Sequence, residues 1–196
     1  MRVISGYLKG RRLFCPEGKK KGLRPTKDLV REAIFDALRG WIEGKRALDL
    51  FAGTGALGIE AASHGAREVV FVESDREAVN SIRKNIESLD IAGRCTIRKG
   101  KAEKVIETLE NEEFDLIIAD PPYDYPGKKI LYILESIAGL KVAGEEGIIV
   151  IEHGNREKLP EVEGLEIYKE KHYGKSAVSF LKIVKNEKDS GLSGQF

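Results

Sequence analysis

The chain has 196 residues, 41% of them hydrophobic and 33% charged, with a formal net charge of +1. This composition predicts one globular domain with a buried core and excludes a disordered or fibrous chain. There is no apolar run of membrane-spanning length and no signal-peptide core, and Cys15 and Cys95 have no metal-ligand or framework spacing. We therefore expect a cytoplasmic protein with reduced cysteines.

The charges are unevenly divided along the chain. Residues 1–46 carry thirteen Lys and Arg against five Asp and Glu, a balance of +8, and the remainder has a balance of −7. A basic arm on such a body predicts contact with a polyanion such as nucleic acid. A merely solubilising N-terminal hairpin is the alternative. The candidate contact residues are Lys9, Arg11, Arg12, Lys20, Lys21 and Arg24.

The first elements lead up to a glycine-rich turn. Residues 2–14 alternate around glycines and predict a hairpin or two short strands. Thr26 is the predicted N-cap of a helix whose apolar residues recur at helical spacing as far as Trp41, and Gly44 ends it. A strand over 46–51 then runs into a turn at 53–55, and a second helix follows.

Strands and helices alternate over the rest of the chain. Further strands are predicted over 68–72, 95–97, 114–119 and 147–151, with helices over 78–89, 102–109 and 130–137. This alternation predicts a parallel sheet with right-handed crossovers. Two last strands, over 165–173 and 177–184, flank a short turn and predict an antiparallel hairpin at the sheet edge. We expect an α/β, Rossmann-like fold with a seven-stranded, mostly parallel sheet and a small N-terminal β-hairpin extension.

The glycine-rich turn indicates a ligand. Gly53 to Gly58 satisfy the pattern G-x-G-x-x-G directly after a strand and at the start of a helix. Alone this is a weak signal, because a purely structural turn could contain the same glycines. Glu73, at the end of the second strand, adds weight, since an acid there can accept both ribose hydroxyls of an adenosine ligand. The pattern predicts either a dinucleotide or S-adenosylmethionine.

Two features favour S-adenosylmethionine. Asp49 lies four residues before Gly53, where a carboxylate would attract the ammonium of a methionine group and oppose a pyrophosphate. The segment Asp120-Pro121-Pro122-Tyr123 follows the fourth strand, and a pyrophosphate-binding protein has no use for it there. A dinucleotide oxidoreductase remains as an outlying alternative.

Several of these segments together resemble a known family. The runs 49–55 and 120–123 resemble class I S-adenosylmethionine-dependent methyltransferases that act on an exocyclic amine. With the runs 10–13, 24–26, 30–33 and 173–174, the chain resembles the RsmD-type family of bacterial 16S ribosomal RNA guanine-N2 methyltransferases over roughly residues 1–184.

The resemblance implies a class I methyltransferase fold, S-adenosylmethionine as cofactor and a guanine of 16S rRNA, free or in an assembling 30S subunit, as substrate. One departure is visible after the third strand, where the family has an acid and this chain reads Gly100-Lys101-Ala102. Adenine contacts there are expected from backbone amides or from Lys101. The implied cofactor-binding residues are Asp49, Phe51, Gly53, Thr54, Gly55, Glu73, Ser74, Lys101, Ala102 and Asp120.

The expected catalytic residues are Asp120, Pro121 and Tyr123. Asp120 and the Pro121 carbonyl would accept hydrogen bonds from the amine and turn its lone pair toward the methyl donor. Tyr123 would stack on the target base after the base leaves its helix. Arg24 and Thr26 contribute either to the RNA contact or to the cleft wall.

The sequence leaves two other functions open, an adenine-N6 methyltransferase on DNA or RNA and a cofactor-binding RNA assembly module with little turnover. We expect a basic extension over 1–23, a methyltransferase domain over 24–185 and a polar tail over 186–196. No pair of histidines has metal-ligand spacing, so no metal is expected. We also expect a monomer.

Overall fold

A computed structural model describes residues 1–15 and 25–184, with the side chains of Pro25 and Thr26 outside that description. The expected boundary at residue 23 and the tail over 186–196 also lie outside the described residues. The helices are α1 Pro25–Ala37, α2 Ala56–Ser63, α3 Arg76–Ser88, α4 Ala102–Val105 and α5 Gly127–Gly139. The strands are β1 Arg46–Asp49, β2 Glu68–Glu73, β3 Cys95–Lys99, β4 Phe114–Ala119, β5 Ala143–Gly154, β6 Leu165–Tyr173 and β7 Ser176–Ile183.

The seven strands form one sheet in the order β3-β2-β1-β4-β5-β7-β6. The first five strands are parallel, and β7 pairs antiparallel with both β5 and β6. This confirms the predicted Rossmann-like sheet with an antiparallel hairpin at its edge. The strand order reverses between β1 and β4, and a ligand crevice forms in such sheets outside the carboxyl ends of the strands at that point.

Several elements differ from the predicted bounds: β1 is shorter, at Arg46–Asp49, β5 is longer, at Ala143–Gly154, and three further differences have a visible structural form. Helix α1 begins at Pro25, so Thr26 lies inside the helix and the prediction that it is the N-cap was wrong. The helix ends at Ala37, before Trp41, because Gly40 adopts a left-handed φ of +77° that a continuing helix does not allow. The predicted helix over 102–109 is divided into α4 and a 3₁₀ turn at Ile106–Thr108. The N-terminal hairpin is reduced to a single antiparallel bridge between Arg2 and Arg12.

Hydrophobic side chains cover both faces of the central strands, as expected for parallel strands between two helical layers. On one face, Phe71 and Val69 lie in a cluster with α1, α2 and α3, and on the other, Phe114 and Ile117 lie in a cluster with α4 and α5. In the described part of the chain, no helix is long and apolar enough to cross a membrane.

The first fifteen residues are part of the first of these clusters. Val3, Leu8 and Leu13 are all buried in it. The backbone amides of Ile4 and Ser5 donate to the carboxylate of Glu60, which is fully buried in α2, at 2.6 and 3.1 Å. Arg31 Nε lies 3.3 Å from the same carboxylate. The N-terminal segment is therefore bonded to the helix that follows the glycine turn.

Candidate active site

A cavity of about 760 Å³ opens at the carboxyl ends of the parallel strands. It is a size that accommodates a small-molecule ligand. Nine of the predicted site residues line it together: Phe51, Gly53, Glu73, Ser74, Lys101, Ala102, Asp120, Pro121 and Tyr123. The two strand ends that the sequence connects to cofactor and target, those of β1 and β4, therefore meet in one cleft.

A second cavity, of about 650 Å³, adjoins the first. Thr54 and Arg12 line it together with apolar side chains such as Leu13, Phe14 and Leu57. The residues that line both cavities are Lys27, Phe51, Gly53, Asp120 and Glu152. A ligand above the glycine turn could thus extend into either cavity, with Asp120 at the junction.

The glycine turn presents bare backbone to the cleft. Gly53 has a left-handed φ of +54°, and a Cβ built there would meet no atom within 4 Å, so it would project into open space. Its amide donates to Glu73 Oε2 at 2.8 Å, while Glu73 Oε1 accepts from the amide of Asp75 at 2.8 Å. Because each carboxylate oxygen can accept a second bond, Glu73 can hold the turn and a ligand hydroxyl at once.

Asp49 and Gly55 line neither cavity. The carboxylate of Asp49 is 1% exposed, and its Oδ2 accepts from the amide of Gly58 at 2.9 Å at the start of α2. Burial raises the pKa of the Asp49 carboxyl to about 7, against the opposing effect of the Gly58 amide. Among the residues that the structure describes, its buried Oδ1 has no hydrogen-bond partner. Asp49 lies behind the turn, where it fixes the start of α2.

An aromatic wall borders the first cavity. The rings of Phe51 and Tyr125 meet edge to face, with 5.0 Å between their centroids. Lys129 Nζ lies 5.4 Å from the Tyr125 ring and 2.6 Å from Glu103 Oε1. Although burial opposes it, hydrogen bonds, chiefly from Lys129, lower the pKa of Glu103 to about 2. Glu103 and Lys129 also line the cavity, so the wall combines two aromatic rings with an ion pair, and its rings suit a flat aromatic ligand.

Three charged groups meet beside the junction of the cavities. Lys27 Nζ lies 3.0 Å from Asp120 Oδ2, and Ser176 Oγ donates to Glu152 Oε1 at 2.8 Å. Burial raises the pKa of Glu152, and the charge of Asp120 raises it further. The cluster supplies acceptors for an approaching amine and a cation that balances one of them.

Tyr123 stands at the rim of the cleft. Its side chain is 64% exposed, and its hydroxyl donates to the backbone oxygen of Lys175 at 2.6 Å. The hydroxyl is thus tied to the turn between β6 and β7 while the ring remains accessible. An exposed ring fixed at one end is suited to stacking on a base.

The basic candidates are only partly described. Lys9, Arg11 and Arg12 are exposed, and Arg11 Nη2 donates to the carbonyl of Ser88 at 2.8 Å. Lys20, Lys21 and Arg24 lie outside the described residues, as does the side chain of Thr26. Of the described candidates, Arg12 alone lines a cavity.

Lys27, Glu152 and Ser176 were missed by sequence reasoning. Glu152 directly follows the apolar run of β5 much as Asp120 follows β4, so the same end-of-strand rule could have selected it. Lys27, in α1, lies 93 residues before its partner Asp120 in the chain, and no local sequence pattern connects the two. Within residues 1–15 and 25–184, no group of three or more His, Cys, Asp and Glu side chains could hold a metal ion.

Comparison of the sequence with known proteins identifies a family and several relatives. The family described as Conserved hypothetical protein 95 (Cons_hypoth95) matches residues 1–182. YlbH of Bacillus subtilis, provisionally named an rRNA methyltransferase, is 37% identical over 185 residues, which cover 93% of this chain and 98% of that protein. The ribosomal RNA small subunit methyltransferase D of Buchnera aphidicola (subsp. Acyrthosiphon pisum) is 34% identical over 171 residues, 86% of each chain.

The fold is shared with solved structures. A structure from Escherichia coli, provisionally named as the methyltransferase yhhF, has a TM-score of 0.81 and 28% identity over 93% of this chain and 97% of that one. This likeness confirms the class I methyltransferase fold expected from the sequence.

Proposed function

The chain belongs to the RsmD-type family of rRNA methyltransferases, and on that premise we propose that it transfers a methyl group from S-adenosylmethionine to the N2 amine of a guanine in 16S rRNA. The observation that carries the proposal is the position of Asp120. Its carboxylate lies at the end of β4 in the same cleft as Gly53 and Glu73, so an amine at Asp120 would be next to a cofactor above the glycine turn.

The residues of the cleft fit S-adenosylmethionine. Glu73 would hold the ribose hydroxyls, the aromatic wall and the segment 101–102 would enclose the adenine, and the open backbone at Gly53 would leave room for the methionine part. Asp49 and Gly55 would act from behind the turn by shaping it. When bound, the cofactor supplies a methyl group activated by its sulfonium.

The protein itself would orient the amine. The lone pair of the guanine N2 is delocalised into the ring, so the amine attacks well only when held in line with the methyl carbon. Asp120 would accept a hydrogen bond from one N–H of the amine, and the Pro121 carbonyl would accept a hydrogen bond from the other. Both bonds favour the positive charge that develops on the nitrogen. The two prolines fix the backbone of this loop because each has a restricted φ.

The RNA would reach the cleft over a rim that includes Tyr123 and the basic N-terminal segment. Tyr123 would stack on the extruded guanine, and Lys9, Arg11, Arg12, Lys20, Lys21, Arg24 and Thr26 would contact the backbone around it. We further propose that the enzyme acts as a monomer in the cytoplasm, where rRNA or the assembling 30S subunit is available.

A methyl-transfer assay tests the proposal. Labelled S-adenosylmethionine is offered with unmodified 16S rRNA, with 30S particles from cells lacking the gene, and with duplex DNA, and the labelled nucleoside is identified by mass spectrometry. We expect N2-methylguanosine at one position of the rRNA. Label in N6-methyladenosine would replace guanine by adenine as the target, and binding without transfer would favour an assembly module.

A further inference from the structure

The carboxylate of Asp120, directly after β4, and that of Glu152, near the end of β5, are neighbours. Ala119 of β4 is in register with Ile151 of β5, so the next residues along the two parallel strands, Asp120 and Glu152, stand side by side. Both line the two cavities at their junction. Asp120, the acid proposed to bind the amine, therefore has Glu152 directly beside it, on the side of the sheet where β7 and β6 lie.

Glu152 is held with one oxygen in use. Its Oε1 accepts from Ser176 Oγ at 2.8 Å, whereas the part of the chain that the structure describes gives Oε2 no hydrogen bond. The side chain is partly buried beside another carboxylate, and both circumstances raise the pKa of Glu152. The ionised carboxylate of Glu152 is therefore unfavourable unless its free oxygen accepts a hydrogen bond, and the N–H of a ligand can donate one.

The edge of guanine carries donors in a matching arrangement. Its N2 amine and its N1–H are adjacent, so a base that offers the amine to one carboxylate brings N1–H toward a neighbouring one. Adenine presents a lone pair at N1 next to its N6 amine, and a carboxylate opposite that lone pair finds an acceptor instead of a donor. Two neighbouring acids can therefore distinguish guanine from adenine, whereas a single acid that binds the amine would accept both bases equally.

We propose that Glu152 accepts the N1–H of the target guanine while Asp120 accepts its N2 amine, which makes Glu152 the residue that selects guanine over adenine. This inference rests on the proposed function, because it assigns a partner to the base that the methyl-transfer proposal places in the cleft. Ser176 fixes the carboxylate so that Oε2 faces the base, and Lys27 balances the paired negative charges at Asp120.

The test uses an RNA in which the target base keeps its 2-amino group but is changed at N1 and C6. After the modified guanine has been mapped, 2-aminopurine is introduced at that position by ligation of synthetic RNA. This base keeps the 2-amino group but has a lone pair at N1 and lacks O6. For wild type, Glu152→Ala, Glu152→Gln and the exposed control Glu161→Gln, we measure kcat/KM on both RNAs and the Kd of both RNAs with S-adenosylhomocysteine present.

The wild type and Glu161→Gln are expected to prefer guanine to 2-aminopurine by roughly 10- to 100-fold, the usual penalty for a mismatched base contact. In Glu152→Ala, kcat/KM on the guanine RNA should fall and its Kd should rise, each by about that factor, while both values for the 2-aminopurine RNA stay unchanged, so the preference disappears. Glu152→Gln keeps the size of the side chain and an acceptor for Ser176, so it is expected to fold, and its preference should be reduced because its amide can also donate to N1.

Two negative outcomes have different meanings. If the wild type places no methyl group on a guanine N2, the proposed function fails. If it does so, and both Glu152 variants keep the wild-type preference in kcat/KM and in Kd, the assignment of Glu152 is overturned while the function stands. Retained binding of S-adenosylhomocysteine by each variant shows that the cleft is intact.

Discussion

Lys27 Nζ lies 3.0 Å from the Oδ2 of Asp120, across the opening of the cleft. The ammonium comes from the first turn of α1 and the carboxylate from the end of β4, so the ion pair joins the helix that follows the N-terminal segment to the proposed methyl-acceptor site. With Asp120 Oδ2 paired to Lys27, we propose that Oδ1 accepts the hydrogen bond from the incoming amine.

Substitution of Asp120 should greatly slow methyl transfer while cofactor binding is retained. For Asp120→Ala and Asp120→Asn we expect kcat to fall by about 10²- to 10³-fold, as on loss of one preorganised group at a developing charge. Calorimetric binding of S-adenosylhomocysteine should change little, because Glu73 and the glycine turn are untouched. Asp124→Asn, an exposed acid of the same loop, is the control, and full turnover by Asp120→Ala would remove Asp120 from the mechanism.

Tyr123 should contribute to RNA affinity through its ring. Loss of a base-stacking ring costs about 1–3 kcal/mol, so Tyr123→Ala should weaken binding of the target RNA by roughly 5- to 150-fold. Tyr123→Phe keeps the ring and loses only the bond to the Lys175 carbonyl, so it should bind nearly as wild type does. Fluorescence anisotropy with labelled RNA measures both, and equal affinity of wild type and Tyr123→Ala would contradict stacking.

Asp49 should make the folded state less stable as the pH rises. Burial raises its pKa from the ordinary 3.8 to about 7, so between these values the folded chain keeps a proton that the unfolded chain has released. The native state then binds more protons, and the free energy of unfolding falls as the pH rises through this window. Above about pH 7 this contribution is constant.

Asp49→Asn removes that titration and keeps an oxygen for the Gly58 amide. Relative to wild type, the variant should gain stability on going from pH 4 to pH 8, by up to about 4 kcal/mol, because each pKa unit corresponds to about 1.4 kcal/mol. Urea denaturation at several pH values measures the difference. The control is Asp90→Asn, at an exposed position whose φ of +57° asparagine tolerates. A pH-independent difference between wild type and Asp49→Asn would show that Asp49 ionises normally.

Asn85 should hold the N-terminal segment against the glycine turn. This fully buried side chain accepts from the amide of Phe14 at 2.6 Å and donates to the carbonyl of Thr54 at 2.9 Å. Asn85→Ala leaves these backbone groups without partners, at a cost of about 1–3 kcal/mol for each one that stays buried. Chemical denaturation gives the loss, and hydrogen exchange at residues 13–15 should accelerate. The exposed Asn80→Ala on the same helix should change neither.

The basic N-terminal segment should make RNA binding sensitive to salt. For the variant in which Lys20 and Lys21 become Gln, we expect the slope of log K against log salt to decrease by about 0.7–0.9 per lost phosphate contact. The control changes Arg39 and Lys141 to Gln, which removes the same charge elsewhere in the chain. If both variants lower the slope equally, the effect is one of net charge and the segment is no specific RNA contact.

The fold and the position of the cleft could be predicted because their signals are local. The alternation of apolar runs gave the parallel sheet, and an acid or a glycine directly after a strand must lie at the sheet's carboxyl edge. Gly53, Glu73 and Asp120 were found in this way. The resemblance to methyltransferases then connected the segment 120–123 with an amine.

Contacts between distant segments could not be predicted. Lys27 meets Asp120, and Asn85 meets Phe14, only because of how helices dock on the sheet, and a single sequence contains no record of that docking. The side of the turn on which a residue lies was equally hidden. Asp49 belongs to the expected cofactor set by its spacing from Gly53, but in the structure its carboxylate points to the amide of Gly58 instead of into the cleft.

The contacts of Glu60 limit how the N-terminal segment can be studied. A chain shortened by fifteen residues would leave this carboxylate in the protein interior with Arg31 but without the amides of Ile4 and Ser5. It would also uncover the apolar surface that Val3, Leu8 and Leu13 shield. Weak RNA binding by a truncated enzyme would then report partial unfolding, so genetic dissection of this region requires replacement of its outward side chains one at a time.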